Sequence, residues 1–285
     1  MPQVNAFFDP ATYSYSYVVA EPNGCAAVID PVLDFDPAAA RTSTHSADVL
    51  IAFVNKHQLT VDWILETHVH ADHLSAAQHI AKCCGGQVVT GQHVRDVQHI
   101  FANTFNVADD FSCEQKHFDR LVADGEHLPL GSLDIEVIET PGHTPGCVTY
   151  LIGDAAFVGD TLFMPDYGTA RTDFPGGDAR TLYRSIQTLF KLPGQTIVYL
   201  CHDYGTDTRK TFCGKTTVDE AIRNNIHIHS KIGENQFVRL RESRDKTLST
   251  PRLLYPAVQF NMRGGRMPPA EGNGRRYLKL PICTD

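Results

Sequence analysis

Within six residues the chain carries His68, His70, Asp72 and His73, in the run Thr67-His68-Val69-His70-Ala71-Asp72-His73. No other stretch limits so sharply what the chain can fold into. Imidazole and carboxylate groups this dense would desolvate and repel one another without a cation between them. Nitrogen and oxygen donors together suit Zn, Fe or Mn rather than a soft metal. The run follows a strand candidate at 61–66 and leads into a predicted helix at 74–84, closed by Gly85-Gly86. A strand that turns into a helix lets several of these side chains converge on one point.

Further donors stand at the ends of other predicted strands. His143 follows a strand at 133–139 and sits between two Pro-Gly turns, in Thr140-Pro141-Gly142-His143-Thr144-Pro145-Gly146. Strands at 147–152 and 155–159 flank a Gly153-Asp154 hairpin signal, and the second delivers Asp160. A strand at 196–200 delivers His202. Taken singly, His202 reads as a hydrogen-bonded loop residue and Asp160 as a turn residue. The cluster at 68–73 reverses that, because four strand ends then present ligands from a rigid scaffold. The chain has 14 His, and the others, including His79, His93, His99, His227 and His229, read as surface or packing residues.

The remaining pattern is α/β. Tyr13, Tyr15 and Tyr17 alternate with Ser14 and Ser16, the period of a two-faced strand. Pro22-Asn23-Gly24 turns the chain into a second strand at 25–30. Helices are predicted at 48–57, on Val49, Leu50, Phe53 and Val54, and at 182–190; 87–90 reads as a short strand and 93–119 as mixed helix and loop. Arg263-Gly264-Gly265-Arg266-Met267-Pro268-Pro269 reads as surface loop. There is no repeat or linker, so residues 1–285 read as one unit with a C-terminal extension from about residue 230.

A net charge of -8 argues against a nucleic-acid partner, yet it is compatible with one local cationic pocket. No Lys or Arg precedes Arg41 and residues 1–17 hold no apolar run, so the expectation is a cytoplasmic protein without an export or transit signal. No apolar run approaches the length of a membrane span, and no membrane association is expected. The eight Cys (25, 83, 84, 113, 147, 201, 213 and 283) show no CxxC spacing and read as free thiols. Cys147 and Cys201 stand beside expected ligands but read as packing residues.

At these motifs the chain resembles the metallo-β-lactamase superfamily: His68-x-His70-x-Asp72-His73, Gly142-His143, Gly159-Asp160 and His202, in that order, within a match from about Tyr13 to Tyr204. The resemblance implies an αββα sandwich, two packed mixed β-sheets with helices on both outer faces. The fold hosts hydrolases, nucleases and oxygenases, so it leaves the reaction open. Two glutathione-linked branches remain, glyoxalase II and persulfide dioxygenase. Thr169-Ala170-Arg171-Thr172-Asp173-Phe174, Gly176-Gly177, Thr181-Leu182-Tyr183-x-Ser185-Ile186, Leu192-Pro193-Gly194 and His202-Asp203-Tyr204 together resemble the persulfide dioxygenase branch. Cys147 follows Gly146 where glyoxalase II usually has His. The stretches from Met164 to Gly168 and from Val258 to Arg263 depart from the branch's usual pattern.

That resemblance implies one Fe(II) per chain, held by His68, His143 and Asp160 as the catalytic centre, with His70, Asp72, His73 and His202 orienting ligands and water. Glutathione persulfide and O2 would be the substrates, sulfite and glutathione the products. Arg171 would pair with a glutathione carboxylate, the alternative being a structural arginine tied to Asp173. Tyr204 and Lys215 are further substrate-contact candidates, and a homodimer is implied. The rival reading is a dinuclear zinc hydrolase of glyoxalase II type, in which all seven residues bind two metals and Asp160 bridges them. A third is a metal-bound persulfide or redox sensor.

Overall fold

The computed structural model describes residues 1–111 and 117–282. Cys113, Cys283 and part of the 93–119 stretch lie outside the described residues. In chain order the first half forms β1 (Gln3–Asp9), β2 (Ser14–Ala20), β3 (Cys25–Ile29), β4 (Val32–Asp36), β5 (Arg41–Ser43), α1 (His45–Lys56), β6 (Thr60–Leu65), β7 (Leu74–Ser75), α2 (Ala77–Cys84), β8 (Gln87–Gly91), α3 (Val94–Phe105) and β9 (Arg120–Val122). The second half forms β10 (His127–Leu130), β11 (Leu133–Glu139), β12 (Val148–Ile152), β13 (Ala155–Phe157), α4 (Ala179–Leu189), β14 (Ile197–Tyr199), β15 (Lys215–Thr217), α5 (Val218–Asn224), α6 (Glu234–Asp245) and α7 (Leu254–Asn261).

Two six-stranded sheets run in the orders β1-β2-β3-β6-β8-β9 and β10-β11-β12-β13-β14-β15, and β5-β4-β7 forms a small third sheet. Both large sheets are mixed: β3, β6, β8 and β9 pair in parallel, as do β13 and β14, and the other neighbours are antiparallel. Their facing side chains, among them Tyr15, Tyr17, Ile29, Leu128, Val137, Tyr150 and Phe157, form one buried cluster. On the outer face of the first sheet, Val18, Val28 and Ile64 meet Leu50 of α1, Ile80 of α2 and Phe101 of α3. On the outer face of the second, Ala156 and Val198 meet Leu182 and Ile186 of α4 and Phe237 of α6. This is the expected αββα sandwich. Each large side chain fully buried in these layers contributes about 1.5–3 kcal/mol. No helix among the described residues is long and apolar enough to cross a membrane.

Several elements differ from expectation, each for a local reason. The serine face of β2 is not solvated: Ser14 and Ser16 are buried beneath the outer layer, while Tyr13 precedes the strand at φ 57°. α1 begins at His45 and buries Ala47, Leu50 and Val54, leaving Val49 47 % exposed. Residues 74–84 are not one helix. Leu74 pairs with Leu33 of β4, and Ser75 donates its backbone N–H to Asn261 Oδ1, so α2 starts only at Ala77. α4 begins at Ala179 because the Asp178 carboxylate caps it, accepting from Thr181 N at 2.7 Å. The Gly/Pro/Arg stretch is split: Arg263, Gly264 and Gly265 are buried, and the chain emerges only at Arg266.

Candidate metal centre

The site lies where strands of both sheets end. β6 runs into Glu66, Thr67 and His68; β3 ends at Asp30; β13 leads through Gly159 to Asp160; β14 leads through Cys201 to His202; β11 leads to His143. Two glycines allow the close approach. Gly159 stands at φ 51°, and a Cβ there would lie 2.6 Å from Thr67 Oγ1. Gly142 stands at φ 137°, and a Cβ there would lie 2.4 Å from the Leu182 backbone. A side chain at Gly159 would force apart the segments that carry Asp160 and His68, and one at Gly142 would push the His143 loop off α4.

His68, His143 and Asp160 place one donor atom each within 4.8 Å of one another. Asp160 Oδ2 stands 3.9 Å from His68 Nε2 and 3.7 Å from His143 Nε2, while its Oδ1 faces His202 Nε2 at 3.5 Å. Asp72 Oδ2 stands 3.1 Å from His202 Nε2, and Asp72 Oδ1 stands 3.4 Å from His73 Nδ1. Five buried atoms here have no hydrogen-bond partner: His68 Nε2, Asp72 Oδ2, His73 Nε2, Asp160 Oδ1 and His202 Nε2. Buried polar atoms left unsatisfied cost about 1–3 kcal/mol each. Lone pairs orphaned together and turned inward are what a cation would satisfy, so the donor set fits a metal.

The partners of the other ring nitrogens fix how these imidazoles are presented. His68 Nδ1 lies 3.0 Å from Thr67 Oγ1, which itself donates to Asp30 Oδ2. His143 Nδ1 donates to the Arg171 carbonyl at 2.8 Å. His73 and His202 both direct Nδ1 at Ser14 Oγ, each at 3.3 Å. In a neutral ring an Nδ1–H held in this way leaves Nε2 free, the tautomer a metal ligand needs. At His202 burial opposes the charged ring, but the facing carboxylates Asp72 and Asp160 outweigh it and favour the protonated form. Burial and the neighbouring imidazoles push the His68 pKa well below its ordinary value. Burial opposes the ionised form of Asp72, but His202 and His73 outweigh it and hold the carboxyl well below its usual range.

His70 is arranged the other way round. Its Nε2 meets Asp30 Oδ1 at 3.0 Å and Glu66 Oε2 at 3.3 Å, and its Nδ1 faces the Cys201 thiol at 3.9 Å. Asp30 and Glu66 went unnoticed in the sequence, although each is the last residue of a predicted strand. Asp30 also holds the Thr67 N–H at 2.8 Å, and it stands at φ 46°, a strained conformation for a residue other than glycine. Ser14 and Asn261 were missed as well. Burial raises the pKa of both neighbouring thiols, Cys147 to about 12, so they remain protonated and fit the packing role expected of them.

The sequence profile of the Metallo-beta-lactamase superfamily matches residues 9–202, a span that contains every one of these donors. The chain belongs to that superfamily. It is 51% identical over 98% of both chains to a probable metallo-hydrolase of Burkholderia pseudomallei. It is 43% identical to glyoxylase B2 of Dictyostelium discoideum, over 93% of this chain and 91% of that one. The human mitochondrial persulfide dioxygenase ETHE1 is 28% identical, over 92% of this chain and 88% of that one. The crystal structure of ETHE1 from Myxococcus xanthus superposes with a TM-score of 0.74 at 29% identity, covering 93% of this chain and all of that one.

Beside the centre of this superfamily member lies a cavity of about 340 Å³, into which Asp72, His143 and Asp160 face. Tyr204 lines it, with its ring stacked on His202 at 5.3 Å and 10°. Arg171 lines it too, but its Nε and Nη2 edge is paired with both oxygens of Asp173 at 2.6 and 2.7 Å, and its Nη1 donates to the Ser249 carbonyl. The structural alternative therefore accounts for most of the Arg171 donors. Lys215 is not brought to the cavity; it sits exposed on the edge strand β15. Three cationic residues of the extension do line it: Arg241 is buried and paired with Asp245, whereas Arg244 and Arg252 are exposed and neither is paired with a carboxylate among the described residues. α6 also braces the wall: Arg241 donates to the Thr169 carbonyl, and Asp245 accepts from Thr172 N at 2.9 Å.

Proposed function

We propose that this protein is an Fe(II)-dependent persulfide dioxygenase, oxidising the terminal sulfur of glutathione persulfide with O2 and water to yield sulfite and glutathione. The observation that carries this reading is the state of His70. Both of its ring nitrogens are already engaged, by Asp30 and Glu66 on one side and by Cys201 on the other. His68, His143 and Asp160 are then left as a three-residue set, two imidazoles and one carboxylate, which is the ligand type of non-haem iron oxygenases. The persulfide dioxygenase ETHE1 is among the relatives, and likeness to an ETHE1 structure extends over nearly the whole chain.

When bound, Fe(II) would supply the redox chemistry and the open positions for small ligands. The protein's own groups hold the reactants. Arg244 and Arg252 set positive charge at the cavity mouth, where the two carboxylates of glutathione would be recognised. Tyr204 and Phe163 form an apolar wall over His202. Arg171, held rigid by Asp173, fixes His143 through its backbone carbonyl while its side chain lines the cavity. Asp72, His73 and His202 would position the water consumed in product release.

The test is oxygen consumption by anaerobically Fe(II)-loaded protein on addition of glutathione persulfide, with metal content measured on the same sample. Rapid uptake, sulfite formation and about one iron per chain are expected. A protein that takes up no O2, holds about two zinc ions and cleaves S-lactoylglutathione would be a hydrolase instead. One observation favours that second reading: Asp160 turns Oδ2 toward His68 and His143 and Oδ1 toward His202, as a carboxylate bridging two metals would. The relatives named metallo-hydrolase and glyoxylase share more identity with this chain than the named dioxygenase does.

A further inference from the structure

The 67–73 stretch that carries four of the seven metal-type side chains has no helix or strand of its own. Its backbone is nevertheless buried, with His70 and His73 at 0% and 1% exposure. Buried carbonyls require donors, and here two of them find the same one. Asn261, the last residue of α7, donates from Nδ2 to the His70 carbonyl at 2.9 Å and to the His73 carbonyl at 2.7 Å. Its Oδ1 accepts from Ser75 N at 2.8 Å. Both donors of one side-chain amide are thus spent on this stretch, and its acceptor on Ser75 just beyond it. The amide orientation is unambiguous, because carbonyls only accept and a backbone N–H only donates.

We infer that Asn261 is a positioning residue of the metal centre, and that the C-terminal extension serves to hold the ligand loop in register. An aspartate would lack the donors, a leucine would lack all three bonds, and a glutamine would not fit the same reach from the helix. The bond to Ser75 extends inward: Ser75 Oγ donates to Glu66, and Glu66 stands against His70. One side chain from outside the strand ends therefore sets both the backbone and, through Ser75, a side-chain partner of the loop. Groups that orient metal ligands change metal affinity about 10–100-fold when removed.

This inference rests on the metal-holding reading of the site and not on the reaction. The experiment is Co(II) titration of metal-free full-length protein, followed by visible absorption and chelator competition, together with thermal unfolding of the metal-free form. Asn261→Ala is compared with Gln259→Ala, which removes an equally buried amide of the same helix that binds the tail at Lys279 instead of the loop. Asn261→Ala should weaken Co(II) binding about 10–100-fold and alter the Co(II) spectrum, while Gln259→Ala lowers thermal stability but leaves affinity alone. Unchanged affinity in Asn261→Ala, or equal loss in both variants, would overturn the inference. If Asn261→Ala does not fold, Asn261→Asp keeps the acceptor for Ser75 N and removes the two donated bonds, and the same two outcomes decide. Protein that binds Co(II) normally but shows no O2 uptake as the iron form would defeat the dioxygenase reading and leave this one standing.

Discussion

His70 and Asp30 are joined by a 3.0 Å contact between Nε2 and Oδ1, and that contact decides which ring nitrogen remains for any other partner. The other imidazoles near the centre are held through Nδ1 and present Nε2. His70 is held through Nε2 and presents Nδ1 to a thiol. Asp30→Asn keeps the shape but can set an N–H against the His70 N–H. Iron affinity is expected to fall about 10–100-fold, with a change in the His70 ring 15N shifts of the zinc-loaded protein. Wild-type affinity with an unchanged His70 spectrum would remove Asp30 from the site's support.

The ligand set makes its own prediction. His68→Ala, His143→Ala and Asp160→Ala should each lose iron and reduce O2 uptake by about a thousandfold or more. Asp72→Ala and His202→Ala should retain about one iron per chain and lose less activity. If instead Asp72→Ala and His202→Ala lose half of a two-metal complement, measured by elemental analysis, the dinuclear reading is the right one.

Arg244 and Arg252 carry the expectation about substrate charge. Arg244→Ala and Arg252→Ala should each raise KM for glutathione persulfide about tenfold, the equivalent of about 1.4 kcal/mol, with kcat little changed. The penalty should shrink in high salt, since both side chains are exposed. A fall in kcat at unchanged KM would place these arginines elsewhere in the reaction.

Burial predicts the order of thiol reactivity. Cys83 and Cys213 are exposed, whereas Cys147 and Cys201 are buried with raised pKa values. Iodoacetamide at pH 8 should modify the first two in native protein and the second two only after unfolding, as read by peptide mass spectrometry. Modification of native Cys147 would contradict the closed packing around Thr144.

Asp178 gives a pH signature. Thr181 holds its carboxyl below the ordinary value by hydrogen bonds from both hydroxyl and backbone N–H. A depressed carboxylate contributes stability that is fully present above its unfolded value near about 4 and is lost as pH falls through the lower folded value. Asp178→Ala should therefore cost about 1 kcal/mol at pH 7 and progressively less from about pH 4 downward, by urea unfolding at each pH. An equal cost at pH 7 and pH 2.5 would show that the cap does not act through its charge.

The parts of the site that were legible in the sequence are those set by local order. His68 to His73 fall within one turn of chain, and Gly142-His143 and Gly159-Asp160 carry their own turn signals. Strands such as β11 and hairpins such as β12–β13 were legible because alternation and a Gly153 turn act over a few residues. What was hidden depends on contacts far apart in the chain. Ser14 reaches His202 across 188 positions, and Asn261 reaches His70 across 191. Nothing in either neighbourhood announces that partner. Leu74 and Ser75 misled for the same reason, since they pair as a short strand with Leu33 and Val32 of β4, far earlier in the chain. For Arg171 both roles were legible, a substrate contact and a tie to Asp173, but the choice between them depends on rotamers, and the structure pairs it with Asp173.

Ser14 has one oxygen, and two imidazoles lean on it. A hydroxyl offers only two lone pairs and one proton, and the Ser14 oxygen also lies 2.8 Å from Thr12 Oγ1. His73 and His202 consequently share a mechanical linkage rather than two independent mounts. Whatever tugs on one ring is transmitted to the other through a single pivot, so the two flanks of the centre should tighten or slacken together as it fills.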